Sequence, residues 1–236
     1  MSFAIKRGEI VGFIGQNGAG KTTLMRILTS YYRASSGTVL IDGEDISTNS
    51  LAIRKKIGYL PETPPLYLDM SVKDYLNFAA EIKGVPASER QRQLHRAIQE
   101  CQLEDVFDKT IGTLSKGYKQ RTGIAQAIIH EPEILILDEP ANGLDPIQNL
   151  QLRNLIKGLK DRRTVILSTH MLSEIEQIAQ RVLIIKAGEI VVDEPLEALL
   201  KAHSLHKNSL GKEAPTSLED VFLHYHEENS EVMRHE

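Results

Sequence analysis

Gly15-Gln16-Asn17-Gly18-Ala19-Gly20-Lys21-Thr22 satisfies every fixed position of the pattern G-x-x-x-x-G-K-[ST], and Thr23 follows it. The chemistry of such a segment is the cradling of phosphate. Glycines let backbone N–H groups close around anionic oxygens. The N-terminus of a following helix adds a favourable dipole. Lys21 sets a positive charge against the outer phosphates, and the Thr22 hydroxyl is a ligand for a hydrated Mg²⁺. A second cluster lies far along the chain, where the apolar run Ile134-Leu135-Ile136-Leu137 ends in Asp138-Glu139-Pro140. A strand end beside the phosphate loop would bring Asp138 to Mg²⁺, directly or through water. Glu139, on another face of the strand end, is then free to polarise a water for in-line attack on a γ-phosphate.

The elements that must position these groups are legible around them. Glu9–Ile14 reads as a buried strand running into the glycine loop. Leu24, Ile27, Leu28 and Tyr31 follow at helical spacing. Gly37–Ile41 and Lys56–Leu60 read as two further strands. Residues 66–114 carry charges with a helical apolar period, including Val72, Tyr75, Leu76 and Ala79, and Pro86-Ala87-Ser88-Glu89 marks a helix start. This stretch reads as a helical insertion. Ile134–Leu137 and Thr164–Leu167 suit buried parallel strands, with a helix over about Asp145–Leu159 between them. Arg181–Lys186 and Glu189–Val192 flank Ala187-Gly188 as a hairpin. The alternation predicts an α/β fold with a mostly parallel sheet.

Composition narrows the class. The chain has 236 residues, 41% of them hydrophobic, enough for a real core and too many for global disorder. The net charge of −4 argues against a protein whose main task is gripping nucleic acid, and no nucleic-acid partner is expected. No apolar run approaches the roughly 18 residues of a membrane span. Lys6, Arg7 and Glu9 interrupt any signal-peptide core. A single cysteine, Cys101, forms no internal disulfide and reads as a buried, inert thiol. These features predict a soluble, cytosolic-type protein whose membrane association, if any, comes through a partner. Beyond Leu200 the chain turns polar, and Glu227–Glu236 reads as a mobile tail. His203, His206, His224 and His226 fit no metal-ligand spacing and are expected to be solvated.

Three further segments name a family by their order. Leu114-Ser115-Lys116-Gly117-Tyr118-Lys119-Gln120-Arg121 precedes the acidic strand, Asn142-Gly143-Leu144-Asp145-Pro146 follows it, and Ser168-Thr169-His170 closes the next strand. Ser115 is a plausible helix N-cap, so Ser115 and Gly117 sit where free N–H groups could bind a phosphate. Asp145 before Pro146 also reads as an N-cap. The whole series, over residues 8 to about 193, resembles the ATP-binding-cassette (ABC) ATPases: phosphate loop, signature, acidic strand, D-loop and switch histidine. The resemblance implies a P-loop NTPase core of ABC type with an inserted helical subdomain at about 66–120. It implies one nucleotide-binding domain over 1–200 and a C-terminal segment over 201–236. It implies ATP and Mg²⁺ as cofactors, with Gly15–Thr23 on the phosphates and Thr22, Asp138 and, through water, Glu62 at the metal. Glu139 is implied as the catalytic base, and Lys21, Glu62 and His170 as further catalytic groups. Ser115 and Gly117 would act on ATP held by an opposite protomer, and Asp145 would link the two sites. The partners implied are a membrane permease and a second copy, or a second ATPase subunit, with the chain held peripherally on the inner face of the cell membrane.

The chain departs from the usual pattern in three places. Glu62, in Gly58-Tyr59-Leu60-Pro61-Glu62, stands where the family usually has glutamine. The signature reads Ser-Lys-Gly-Tyr rather than Ser-Gly-Gly-Gln. Both features are similar to an exporter-like branch that includes gliding-motility and nitrous-oxide-reductase-maturation ABC ATPases. Met1–Gly8 looks like the family's later N-terminal strand, and no aromatic residue occupies the place of the usual adenine-stacking one. The antiparallel portion is therefore expected to lack its first strand, and ATP binding to lose about 1 kcal/mol of stacking. An ATP affinity unchanged by adding such an upstream segment would refute this. Thr63–Met70, Pro-rich and apolar, suits a docking surface for the permease, and Leu218–Leu223 reads as a short amphipathic helix on the core. A DNA-repair ATPase would need long inserted coiled coils. A translation-type factor would need a second phosphate loop. A regulatory binder without turnover would not need Glu139.

Overall fold

The computed structural model describes residues 1–209 and 217–232, with side chains except at 161, 205–209 and 226–232. Strand β1 (Ile10–Ile14) is buried at every residue and feeds the glycine loop, which opens helix α1 (Lys21–Leu28). A two-stranded ribbon follows, β2 (Leu40–Ile41) and β3 (Glu44–Asp45), then helix α2 (Ser50–Lys56) and strand β4 (Ile57–Leu60). Helices α3 (Val72–Ile82) and α4 (Ala87–Cys101) form the insertion, and α5 (Lys116–Ile128) returns the chain to the core. Strand β5 (Ile134–Asp138), helix α6 (Pro146–Leu159), strand β6 (Thr164–Thr169) and helix α7 (Leu172–Ile178) come next. The hairpin of β7 (Arg181–Lys186) and β8 (Glu189–Pro195) leads to helices α8 (Leu196–Ser209) and α9 (Leu218–Val232).

The six-stranded sheet runs β4-β5-β6-β1-β7-β8, parallel except for β8 at the edge. Its two faces carry separate apolar clusters. The larger gathers α3–α7 with the first turns of α8 and α9, and the smaller packs α1, α2 and the β2–β3 ribbon. Local chemistry sets several boundaries. Ser71 caps α3 by accepting from the Asp74 amide while its hydroxyl donates to the Asp74 carboxylate at 2.7 Å. Asp145 caps α6 by accepting from the Gln148 amide at 2.8 Å, with Pro146 at the first helical position. Cys101 is fully buried, and burial pushes its thiol up, so it is inert as expected.

The structure corrects several local expectations. Helix α1 ends at Leu28 and Ser30 has a positive φ of 56°, so Tyr31 falls outside the helical stripe and is exposed. Only Leu40–Ile41 of the expected strand 37–41 pairs, and it joins the separate ribbon rather than the main sheet. Lys56 ends a helix, and β4 starts at Ile57. Met1–Lys6 is not a strand. Phe3 is held there by an edge-on contact with Phe13 at 5.3 Å instead of ladder hydrogen bonds. Helix α9 starts where the short amphipathic helix was expected, with Leu218 and Val221 buried, and continues into the expected tail as far as Val232. His203 is part-buried, donates its ring Nδ1–H to the Leu199 carbonyl at 3.2 Å and packs on His224 and Tyr225, so it is not simply solvated. The side chains of His206 and His226 lie outside the described residues. Among the described residues no helix is long and apolar enough to cross a membrane.

His130, just past α5, is part-buried against β4, where its Nε2–H donates to the Ile57 carbonyl at 3.1 Å. Burial, with the nearby Lys83 charge, pushes its imidazole down from 6.5 to about 3. The folded chain therefore refuses a proton that the unfolded chain accepts. Stability from this site is complete above about pH 6.5 and is lost as the pH falls toward 3, by about 2 kcal/mol at pH 5. Urea unfolding at pH 7.5 and pH 5 should show this loss, and His130→Gln should shrink the gap between the two midpoints.

Candidate functional site

Because β1, β5 and β6 are adjacent and parallel, their carboxyl ends fall on one edge of the sheet. Ile14 lies opposite Thr169, and Asp138 opposite Ser168. The loop after β1 and the residues ending β5 and β6 must therefore meet there, which is where open parallel sheets bind ligands. Close approach shapes the loop. A Cβ at Gly15 would lie 2.5 Å from the Ile185 carbonyl oxygen, and Gly18 and Gly20 carry φ of +82° and +106°. Lys21 is buried, and its ammonium donates to the carbonyls of Gly15 at 2.7 Å and Gln16 at 3.3 Å. The flexible lysine is thereby tied across the mouth of its own loop. Gln16, Asn17 and Ala19 complete the loop, whose Ala19 amide closes on the Gln16 carbonyl at 3.1 Å, and Thr23 stands on the first turn of α1.

The acidic pair divides as the alternation of a strand end requires. Asp138 is buried, accepts from the Ser168 hydroxyl and lies 3.4 Å from the Thr22 hydroxyl, which donates to it. Burial pushes the Asp138 carboxyl up. The Ser168 and Thr22 hydrogen bonds oppose that shift, and the charges of Glu139 and Glu62 add to it. Glu139 turns the other way, through a left-handed φ of +48° that its amide secures by bonding the Ser168 carbonyl at 3.0 Å. One carboxylate oxygen lies 3.6 Å from the Lys21 ammonium. The other accepts from the His170 amide at 3.2 Å and ring Nδ1–H at 2.7 Å. The imidazole is half exposed, with Nε2 uncommitted by that bond.

Glu62, in the loop after β4, accepts from the Asn142 side chain at 2.9 Å, which links this loop to the segment following the acidic pair. The oxygen donors Thr22, Asp138 and Glu62 suit a hard cation. Asp138 is a buried carboxylate beside the charges of Glu139 and Glu62, so a cation there is electrostatically favoured. Among the described residues no three His, Cys, Asp or Glu side chains form a metal cage.

Ser115, Gly117 and Asp145 are not brought to this edge. Ser115 caps α5 by accepting from the Tyr118 amide, and a Cβ at Gly117 would meet the Gln148 side chain at 2.9 Å. These three residues therefore cluster where the starts of α5 and α6 abut, and among the described residues none bonds to the phosphate loop. Three participants were not singled out from the sequence for a role. Ser168 holds Asp138 and positions the Glu139 amide, and a hydroxyl in register with a strand-end carboxylate was its one signal. Asn142 restrains Glu62. Glu174 is buried on α7 near Glu139 and His170, with one oxygen lacking a hydrogen bond, and burial pushes its carboxyl up. Nothing in its sequence context distinguishes it from a surface glutamate.

Residues 1–142 match the family model for ABC transporters. The bacitracin transport ATP-binding protein BcrA of Bacillus licheniformis is 39% identical over 203 residues, 85% of this chain and 65% of that protein. The ABC transporter ATP-binding protein NatA of Bacillus subtilis is 33% identical over 86% of this chain and 83% of its own length. A solved dimeric ATP-binding cassette, in a post-hydrolysis state bound to ADP and Pi, superposes with a TM-score of 0.73 at 27% identity, covering 82% of this chain and 88% of that one. The chain thus spans less than two thirds of some curated relatives it matches, BcrA included. With the phosphate loop, the divided acidic pair and the histidine gathered on one sheet edge, these matches show that the chain belongs to the ABC transporter family, in its ATP-binding part.

Proposed function

We propose that this chain is the ATP-binding and ATP-hydrolysing subunit of an ABC transporter, driving substrate movement through a separate membrane permease. The observation that carries this reading is the meeting of Lys21, Asp138, Glu139 and His170 at the ends of three adjacent parallel strands. Amides of Gly15–Thr23 and the Lys21 ammonium bind and orient the phosphates of ATP. Thr22 and Asp138, with Glu62 through water, would hold Mg²⁺, which when bound supplies charge neutralisation at the phosphate oxygens. Glu139 accepts a proton from the water whose oxygen attacks the γ-phosphorus as the bond to ADP breaks. His170 fixes the Glu139 carboxylate and stands beside the γ-phosphate. The contribution of these groups is positioning and charge neutralisation rather than covalent catalysis.

The separation of Ser115 and Gly117 from the phosphate loop supports a site completed by a second protomer, and the dimeric cassette among the solved relatives supports it further. In a head-to-tail dimer, or a pair with a second ATPase subunit, ATP lies in the interface and Asp145 links the two sites. The permease docks beside the loop after Glu62, where Tyr67 and Leu68 are exposed and Tyr67 packs edge-on against Phe78 at 5.5 Å. The chain is thereby held on the inner face of the cell membrane.

Two variants test the reading. Glu139→Gln should bind Mg-ATP, lose hydrolysis by about 10²–10⁴-fold, and pass from monomer to dimer by light scattering only when ATP is present. Normal turnover in that variant would sink the assigned base. Lys21→Ala should weaken ATP binding at least about tenfold, the loss of a charge-assisted contact, in equilibrium titration with a fluorescent ATP analogue.

A further inference from the structure

Two loops meet beside the phosphate site through one side-chain bond. Asn142 Nδ2–H donates to Glu62 Oε1 at 2.9 Å, across 80 residues of chain. Both residues are exposed, and a hydrogen bond open to water is ordinarily a weak restraint. This bond differs because the backbone on each side of it is already fixed.

On the Glu62 side, Pro61, Pro64 and Pro65 each have φ locked by their rings. The residues before them, Leu60, Thr63 and Pro64, are restricted in turn. Leu60 and Pro64 also pack down on α5, where a Cβ at Gly123 would lie 2.6 Å from Leu60 and 2.9 Å from Pro64. The Tyr59 carbonyl accepts from the Gln126 side chain at 3.2 Å, and the Pro65 carbonyl accepts from the Tyr75 hydroxyl at 3.0 Å. The chain is pinned before and after Glu62, so the freedom left is that of the Glu62 side chain. On the other side, the Asn142 amide bonds the Glu139 carbonyl at 3.2 Å, and the Glu139 amide bonds the Ser168 carbonyl of β6 at 3.0 Å. Asn142 is thereby held at a set offset from the end of β5.

A carboxylate has two acceptor oxygens and no donor of its own. Oε1 of Glu62 is taken by Asn142, and among the described residues Oε2 has no hydrogen-bond partner. Asn142 is neutral. It orients the carboxylate without cancelling its charge, as a lysine or arginine at that position would. That charge is felt at Asp138.

We propose that Asn142 is a positioning residue for the divalent cation, holding Glu62 by one oxygen so that the other is presented to the water shell of an ion at Thr22 and Asp138. The proposal rests on the ATP-hydrolysing reading above and adds to it a residue that touches neither nucleotide nor metal. A Glu62 side chain free to rotate would have to be ordered as the ion binds, at a cost to affinity. With Asn142 in place that order exists beforehand. Because both backbone segments are pinned, only two side chains need fixing to achieve it. Partners that orient a metal-side group from behind are commonly worth about tenfold to a hundredfold in metal affinity.

The test uses the full chain with a non-hydrolysable ATP analogue and Mn²⁺ in place of Mg²⁺, its binding read by electron paramagnetic resonance. Asn142→Ala and Asn142→Leu, which both remove the donor, should weaken Mn²⁺ binding at least about tenfold. Binding of a fluorescent ATP analogue in EDTA should stay at the wild-type level, and so should the melting temperature. In hydrolysis, the Mg²⁺ concentration for half-maximal rate should rise while kcat at saturating Mg²⁺ changes far less. Glu62→Ala should itself weaken Mn²⁺ binding, and adding Asn142→Leu to it should cause no further loss, the mark of a residue that acts through Glu62. Wild-type Mn²⁺ affinity in the Asn142 variants or in Glu62→Ala overturns the proposal. An equal loss from Asn142→Leu with and without Glu62 overturns it as well. A melting temperature well below wild type in both Asn142 variants, with binding in EDTA also lost, overturns it by assigning Asn142 to the fold. A wild-type chain that binds no nucleotide, with or without Mn²⁺, overturns the ATPase reading itself, and that failure appears before any variant is compared.

Discussion

Asp138 is a carboxylate taken out of water at the end of an all-apolar strand, and most of the site is arranged around that fact. Two hydroxyls donate to it, Thr22 from the first turn of α1 and Ser168 from β6, the strand beside β5. Satisfying a buried carboxylate this way requires β6 in register with β5 and α1 starting directly after the glycine loop. The same register gives the Glu139 amide its partner in the Ser168 carbonyl and allows the left-handed turn that aims Glu139 away from Asp138. Two adjacent acids thereby face different neighbours. Asp138 meets hydroxyls and other carboxylates, whereas Glu139 meets a lysine and a histidine.

The sheet order places this arrangement where a ligand can reach it. β1 lies between β6 and β7, buried at every position, so its end cannot move without disturbing both neighbours. The glycine loop is held by similar contacts. Gly15 touches the backbone of β7, and Lys21 is bonded to the loop that it follows. Preorganisation of this kind spares the binding step the cost of ordering the loop.

The helical insertion has a different physical character. α3 and α4 bury Val72, Leu76, Leu94 and Ile98 in the main cluster but leave Phe78 and Ile82 outward. Amphipathic helices that keep aromatic and branched residues on their solvent side mark a surface for contact. The starts of α5 and α6, with Ser115, Gly117 and Asp145, form a third region set apart from the phosphate loop. In the proposed reading, nucleotide, second protomer and permease each take a separate face of the chain.

The phosphate loop, the acidic strand, the helix caps at Ser115 and Asp145 and the β7–β8 hairpin are determined locally, by residue types at fixed spacing, and the sequence alone determined them. So did the mostly parallel α/β class, through the alternation of apolar runs with helical periods. Short elements were not legible. The paired part of the ribbon is two residues long on each strand, and Met1–Lys6 lacks a ladder. In each, local preference is weak and long-range packing decides. The hydrogen bonds of Ser168 and the burial of Glu174 were likewise invisible in sequence. Each depends on which groups lie across a gap between elements remote in the chain, and on how much water burial removes. Only the tertiary structure sets those distances and that local dielectric.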